Sequence, residues 1–129
     1  MGKEYLIDTN ILIYYYDDQL PSKSVEMVDD IFSKSFNISV ITKIEFLGWL
    51  NYDERQYRNA VLLAGGARVF SLTESIANKA IELKRKKRIK LPDAVIAATC
   101  LVYDFTLVTR NQADFTSIED LEIYNPFEG

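Results

Sequence analysis

Five short apolar runs, each separated from the next by a stretch with helical spacing, constrain this chain more than any other feature. Tyr5–Ile7, Asn37–Ile41, the run through Val69, Phe70 and Leu72, Thr106–Thr109, and Leu121–Tyr124 read as strands. Thr9–Tyr16 follows the first as a helix. Val25, Val28, Ile31 and Phe32 then repeat at three- and four-residue intervals behind the start signal of Pro21 and Ser22. Thr42 and Glu45 have the spacing of a capping box, with Phe46, Trp49 and Leu50 as the apolar face behind it. A further helix covers Arg55–Ala64, and Gly65 and Gly66 turn the chain. Thr73 caps a helix through Ile76, Ala80, Ile81 and Leu83. Pro92 suits the first position of a helix that is apolar almost all round from Ala94 to Leu101, and so is expected to be deeply buried. Asn111–Phe115 reads as a short turn or helix.

Strands that alternate with helices are joined by crossovers and therefore run parallel. The expected fold is α/β, a three-layer α/β/α sandwich around a central, mostly parallel sheet. A length of 129 residues provides for one core, so the expectation is a single domain, 1–129. In such folds the working site lies at the carboxyl ends of the strands.

The residue inventory narrows the chemistry. There is no histidine, which excludes imidazole as base, acid or ligand, and the single cysteine, Cys100, excludes an internal disulfide or a multi-thiolate zinc site. No apolar run approaches the roughly 20 residues of a membrane span, and Met1 to Asp8 lacks a secretory signal, so a cytoplasmic protein without a membrane partner is expected. The net charge of -4 disfavours non-specific binding of nucleic acid, yet six of the fifteen basic residues fall between Lys84 and Lys90, directly before Asp93.

Four acids, Asp8, Glu45, Asp93 and Asp114, each follow a strand or open a helix. Each alone reads equally well as local structure. Asp8 can cap the following helix, Glu45 can answer Thr42, Asp93 complements a helix dipole, and Asp114 can serve a short helix start. Together they mean more, because carboxylates gathered without compensation cost stability and call for cations. Oxygen-only ligands select Mg²⁺ or Mn²⁺, which keep positions open for phosphate oxygens and water, the requirements of phosphodiester hydrolysis.

Four segments carry a family resemblance: Leu6–Asn10, Thr42–Glu45, Leu91–Thr99 and Leu107–Phe115. Together, in order and spacing, they resemble a PIN domain over essentially the whole chain, and most closely the toxin ribonucleases of VapBC-type toxin-antitoxin pairs. That resemblance implies a metal-dependent endoribonuclease with Asp8, Glu45, Asp93 and Asp114 as the catalytic, metal-holding acids. Asp8 and Asp93 would hold the principal Mg²⁺ or Mn²⁺, and Asn10, Thr109 and Asn111 would support the site. It also implies an RNA substrate, a cognate antitoxin protein seated in a hydrophobic groove, and a homodimer. Arg88, Lys90 and Arg110 are the expected RNA contacts.

The alternatives are an inactive PIN-like module that binds RNA or protein, a receiver-like signalling domain, and a phosphatase of the haloacid dehalogenase type. The receiver reading lacks a phosphate-accepting Asp at a central strand end, since Asp53 lies in a polar turn. The phosphatase reading wants an Asp where Asn10 stands. Burying four acids together without a metal would be costly for an inactive module.

Overall fold

The computed structural model describes residues 3–128, so the ends of the expected 1–129 domain, residues 1, 2 and 129, lie outside the described residues. Strand β1 is Tyr5–Ile7, followed by helices α1 (Thr9–Tyr16) and α2 (Ser22–Lys34). Strand β2 (Asn37–Ser39) leads into α3 (Val40–Leu47) and α4 (Glu54–Gly65). Strand β3 (Arg68–Phe70) precedes α5 (Glu74–Lys86) and α6 (Leu91–Tyr103). Strand β4 (Thr106–Val108), a 3-10 turn at Gln112–Asp114 and β5 (Ile123–Tyr124) complete the order.

The five strands form one sheet in the order β3-β2-β1-β4-β5, and every pairing is parallel. This is not the 2-1-3-4-5 order of receiver-type domains. The chain winds outward from β1 to one edge through β2 and β3, then crosses to β4 on the other side, with Leu6 opposite Leu107 and Ile7 opposite Val108. The direction of winding reverses between β1 and β4, which makes the crevice at their carboxyl ends the natural site.

Alternation along the strands supplies both cores. Leu6 and Leu107 point to one face, where they pack with Ile76, Ala80, Leu83 and the apolar length of α6. Ile7 and Val108 point to the other, where Ile11, Leu12, Ile31, Ile38, Phe46 and Ala60 cover them. Helices therefore lie on both faces, as the alternation of elements predicts. Ala94 to Cys100 are buried without interruption, and the one hydroxyl among them, Thr99, donates to the carbonyl of Val95 at 2.8 Å. Burial of Val95 and Ile96 contributes about 1.5–3 kcal/mol each. That fixes the helix whose first turn carries Asp93.

Several boundaries differ from expectation: β3 ends at Phe70, β4 at Val108, β5 begins at Ile123 and α4 covers Glu54–Gly65. The expected strand Asn37–Ile41 stops at Ser39, whose hydroxyl accepts from the Ile41 N–H and starts α3 there. The Thr42–Glu45 pair is thus not a capping box. Thr42 is a buried residue of the first turn, and Glu45 lies a turn further along. Pro92 likewise stands second in α6, after Leu91.

Candidate active site

The backbone places Asp8 at the end of β1. Its N–H donates to the Val108 carbonyl at 2.9 Å, which continues the β1–β4 ladder by one residue, and its side chain caps α1 by accepting from the Thr9 N–H at 2.8 Å. The other carboxylate oxygen accepts from the Thr109 hydroxyl at 2.7 Å and from the Asn10 amide at 2.9 Å. Neighbouring backbone fixes both donors in turn. Thr109 accepts from the Asn111 N–H at 3.1 Å, and the Asn10 carbonyl accepts from the Arg110 N–H at 3.2 Å. Asp8 is buried, and burial raises its carboxyl above the usual carboxylate range. The three hydrogen bonds pull the other way, and the charge of Glu45 adds to the rise.

Glu45 reaches this group from α3. One of its oxygens accepts from the Thr9 hydroxyl at 2.7 Å, and that hydroxyl lies 3.0 Å from the hydroxyl of buried Thr42. Nothing in the local pattern marks Thr9 and Thr42 as a bridge between β1 and α3. Their hydroxyls meet only because α1 and α3 start side by side on adjacent strands.

Asp93 is the third residue of α6 and half-buried. Its carboxyl is pushed from 3.8 up to about 6, first by burial and then by the charges of Asp8, Asp114 and Glu45, with Lys90 opposing. Asp114 ends the 3-10 turn and is exposed. Four acids from four separate segments thus share one electrostatic field. Among the described residues none of them has an ion-pair partner. Nor, among those residues, do any three acids close to the spacing of a ligand cage. The arrangement is a loose acidic group rather than a closed ligand cage.

The basic residues are placed unequally. Lys90 is close enough to Asp93 to oppose the rise of its carboxyl, and Arg88 is exposed with no ion pair among the described residues. Arg110 is held by aromatic rings: its guanidinium lies 4.1 Å from the centre of Phe127 and 5.2 Å from that of Tyr14, and it donates to the Tyr14 hydroxyl at 2.9 Å. Of Asn111, the backbone enters the network: its N–H donates to the Thr109 hydroxyl, and its carbonyl accepts from the Asp114 N–H at 3.1 Å. No helix among the described residues is long and apolar enough to cross a membrane.

Comparison with known proteins places this geometry. The sequence matches the PIN domain family over residues 5–121. A toxin-antitoxin complex from Klebsiella pneumoniae contains a chain 27% identical, with a TM-score of 0.76, over 95% of this chain and 98% of that one. A chain of VapBC-1 from nontypeable Haemophilus influenzae is 28% identical with a TM-score of 0.76, over 95% of this chain and 97% of that one. VapBC2 from Rickettsia felis, bound to a DNA fragment from the promoter, shares the fold with a TM-score of 0.78 at 20% identity, over 94% and 97% of the two chains. None of the curated proteins compared matches this chain.

Proposed function

Because this chain belongs to the PIN domain family, we propose that it is a metal-dependent endoribonuclease and the toxin of a toxin-antitoxin pair, with Asp8, Glu45, Asp93 and Asp114 as its metal-site acids. The supporting observation is that the charges of Asp8, Asp114 and Glu45 all bear on Asp93, without a paired cation among the described residues, while Asp8 stands at the reversal point of the sheet. Such a field is costly unless a cation enters it.

The donor set fits Mg²⁺ or Mn²⁺. It offers oxygen alone, and its openness suits an ion that keeps several waters and takes few protein ligands. Asp8 and Asp93 would hold the principal ion, with Glu45 and Asp114 beside them. When bound, the ion would supply Lewis acidity and a lowered pKa for water, roles that no histidine here can fill.

The chain's own residues do the rest. Thr109, Asn10 and the Thr9 N–H hold the Asp8 carboxylate in one orientation. Thr9 does the same for Glu45. Asp93, ionised at neutral pH against a carboxyl pKa raised to about 6, would be relieved by an arriving cation, and the exposed Arg88 and Lys90 would meet the RNA backbone on the α6 side. Arg110 would contribute there only by leaving Tyr14.

The toxin reading draws on the relatives from Klebsiella pneumoniae and Haemophilus influenzae, whose chains were solved as parts of such pairs. An antitoxin is the expected partner, and a homodimer the expected assembly.

Purified protein should cleave RNA with Mg²⁺ or Mn²⁺, stop on addition of EDTA, and be inactive as Asp8→Asn or Asp93→Asn. Cleavage that survives chelation, or that persists in both variants, rejects the metal mechanism. Relief of growth arrest by co-expression of an adjacent short reading frame tests the toxin role.

A further inference from the structure

Beside the acids lies a cleft of about 280 Å³ lined by Tyr16, Asp17, Glu45, Trp49, Tyr52 and Gln56 among others. Sites for drug-sized ligands run to roughly 300–1,000 Å³, so this one has room for a single planar ring system. Its walls are aromatic and set at right angles. Trp49 stands 5.2 Å from Tyr52 at 81°, and Tyr52 stands 6.0 Å from Tyr16 at 79°. Trp49 keeps 54% of its surface exposed although the core holds other aromatic rings completely.

The charged groups of the cleft, Asp17 and Glu45, are both acceptors. The Asp17 carboxylate has no side-chain hydrogen bond or ion pair among the described residues, and Glu45 belongs to the acidic group itself. The Gln56 carbonyl accepts from the Asp53 N–H, which leaves its amide NH₂ free. No lysine or arginine lines the space. A phosphate would be repelled here. A neutral ring with its own N–H donors would stack on the indole and donate to the carboxylates.

We propose that this cleft is a subsite for one unpaired nucleobase carrying an exocyclic amino group, adenine, cytosine or guanine, next to the phosphate that is cut. The inference rests on the nuclease reading through Glu45, which lines the cleft and also belongs to the four acids. A base stacked on Trp49 sets its own phosphate beside the acids, so the subsite selects single-stranded RNA and biases the base at the cleavage position.

Trp49 is the only tryptophan, so its fluorescence reports occupancy directly. The protein is titrated in EDTA at about 0.15 M ionic strength, where repulsion between the acids and the RNA backbone is screened, with oligo(rA), oligo(rC), oligo(rU), an abasic strand of equal length and a fully paired duplex. Oligo(rA) and oligo(rC) should quench the indole, and the other three should not. By anisotropy of labelled oligo(rA), Trp49→Ala should weaken binding by about 5- to 150-fold, the range carried by one base–aromatic stack, and Trp49→Phe should restore most of it. Both variants should melt near the wild type, since the ring is half exposed.

Equal quenching by the abasic strand overturns the proposal. So does a Trp49→Ala protein that binds every RNA as the wild type does, and loss of an antitoxin partner in that same variant would assign the cleft to a protein. These readings need no turnover. Base-dependent quenching without cleavage in Mg²⁺ would sink the nuclease and spare the subsite, whereas normal cleavage by Trp49→Ala with an unchanged KM would sink the subsite alone.

Discussion

Replacing Asp93 by Asn should stabilise the metal-free protein and weaken its response to metal. The carboxyl is raised from 3.8 to about 6, about two units, by burial and three neighbouring acids. At about 1.4 kcal/mol per unit this is about 3 kcal/mol. Asp93 is only half-buried, so screening by solvent takes roughly half, leaving about 1–2 kcal/mol. The folded state holds the proton more tightly than the unfolded chain does. Below pH 3.8 the group is neutral in both states and costs nothing; between pH 4 and 6 the unfolded chain ionises first, and above about pH 7 the whole penalty is present.

In EDTA, the wild type should therefore lose about 1–2 kcal/mol from this group between pH 4 and pH 7.5, and Asp93→Asn should not. At pH 7.5 the variant should melt roughly 3–8 °C higher, with the two proteins close together at pH 4. Millimolar Mn²⁺ should raise the wild-type midpoint, because an ion that binds only the folded state stabilises it, and should raise the variant less. Thermal melts followed by circular dichroism at the two pH values, with EDTA and with Mn²⁺, give all four comparisons. A variant that melts at or below the wild type in EDTA at pH 7.5 refutes the electrostatic account of the acidic group.

Three smaller perturbations separate site from scaffold. Thr109→Val removes the hydroxyl that donates to Asp8 and accepts from Asn111, at a cost of about 1–3 kcal/mol by urea unfolding, and should slow RNA cleavage at least about 10-fold. Thr73→Ala deletes the cap on the Ile76 N–H and should cost about 1 kcal/mol with cleavage unchanged in a parallel assay. Asp104→Gly relieves a left-handed residue, φ 59° and ψ 46°, at the end of α6. It should gain about 0.5–1 kcal/mol after the added entropy of the unfolded chain is counted, again by urea unfolding.

The alternation of elements was legible because parallel strands buried on both faces must be apolar, and helices laid against them must carry an apolar stripe. Tyr5–Ile7 and Ala94–Leu101 announce themselves in this way. The start of α3 did not, since Val40 and Ile41 have β-branched side chains suited to a strand, and one hydroxyl, Ser39, turns them into a helix. The acids were legible singly, each at the end of a strand or in a helix. Their gathering was expected from their conjunction and from the family resemblance rather than from any local pattern, because it depends on strand order. The setting of Arg110 was not legible: three distant segments must meet before Tyr14 and Phe127 can hold its guanidinium.

Strand order also explains why neutral donors, rather than a cation, surround Asp8. The β1–β4 register puts Thr109 level with Asp8, one residue past the last pair Ile7–Val108, so a hydroxyl from the neighbouring strand reaches the carboxylate with no long side chain to order. Hydroxyl and amide donors orient a carboxylate without neutralising it. An arginine in the same place would lower the carboxyl pKa and satisfy the charge, and a divalent ion would then have to displace it. With Thr109 and Asn10 the negative charge stays uncompensated. The metal-free fold bears that cost as raised carboxyl pKa values at Asp8 and Asp93, and on the proposed reading an arriving cation would relieve it.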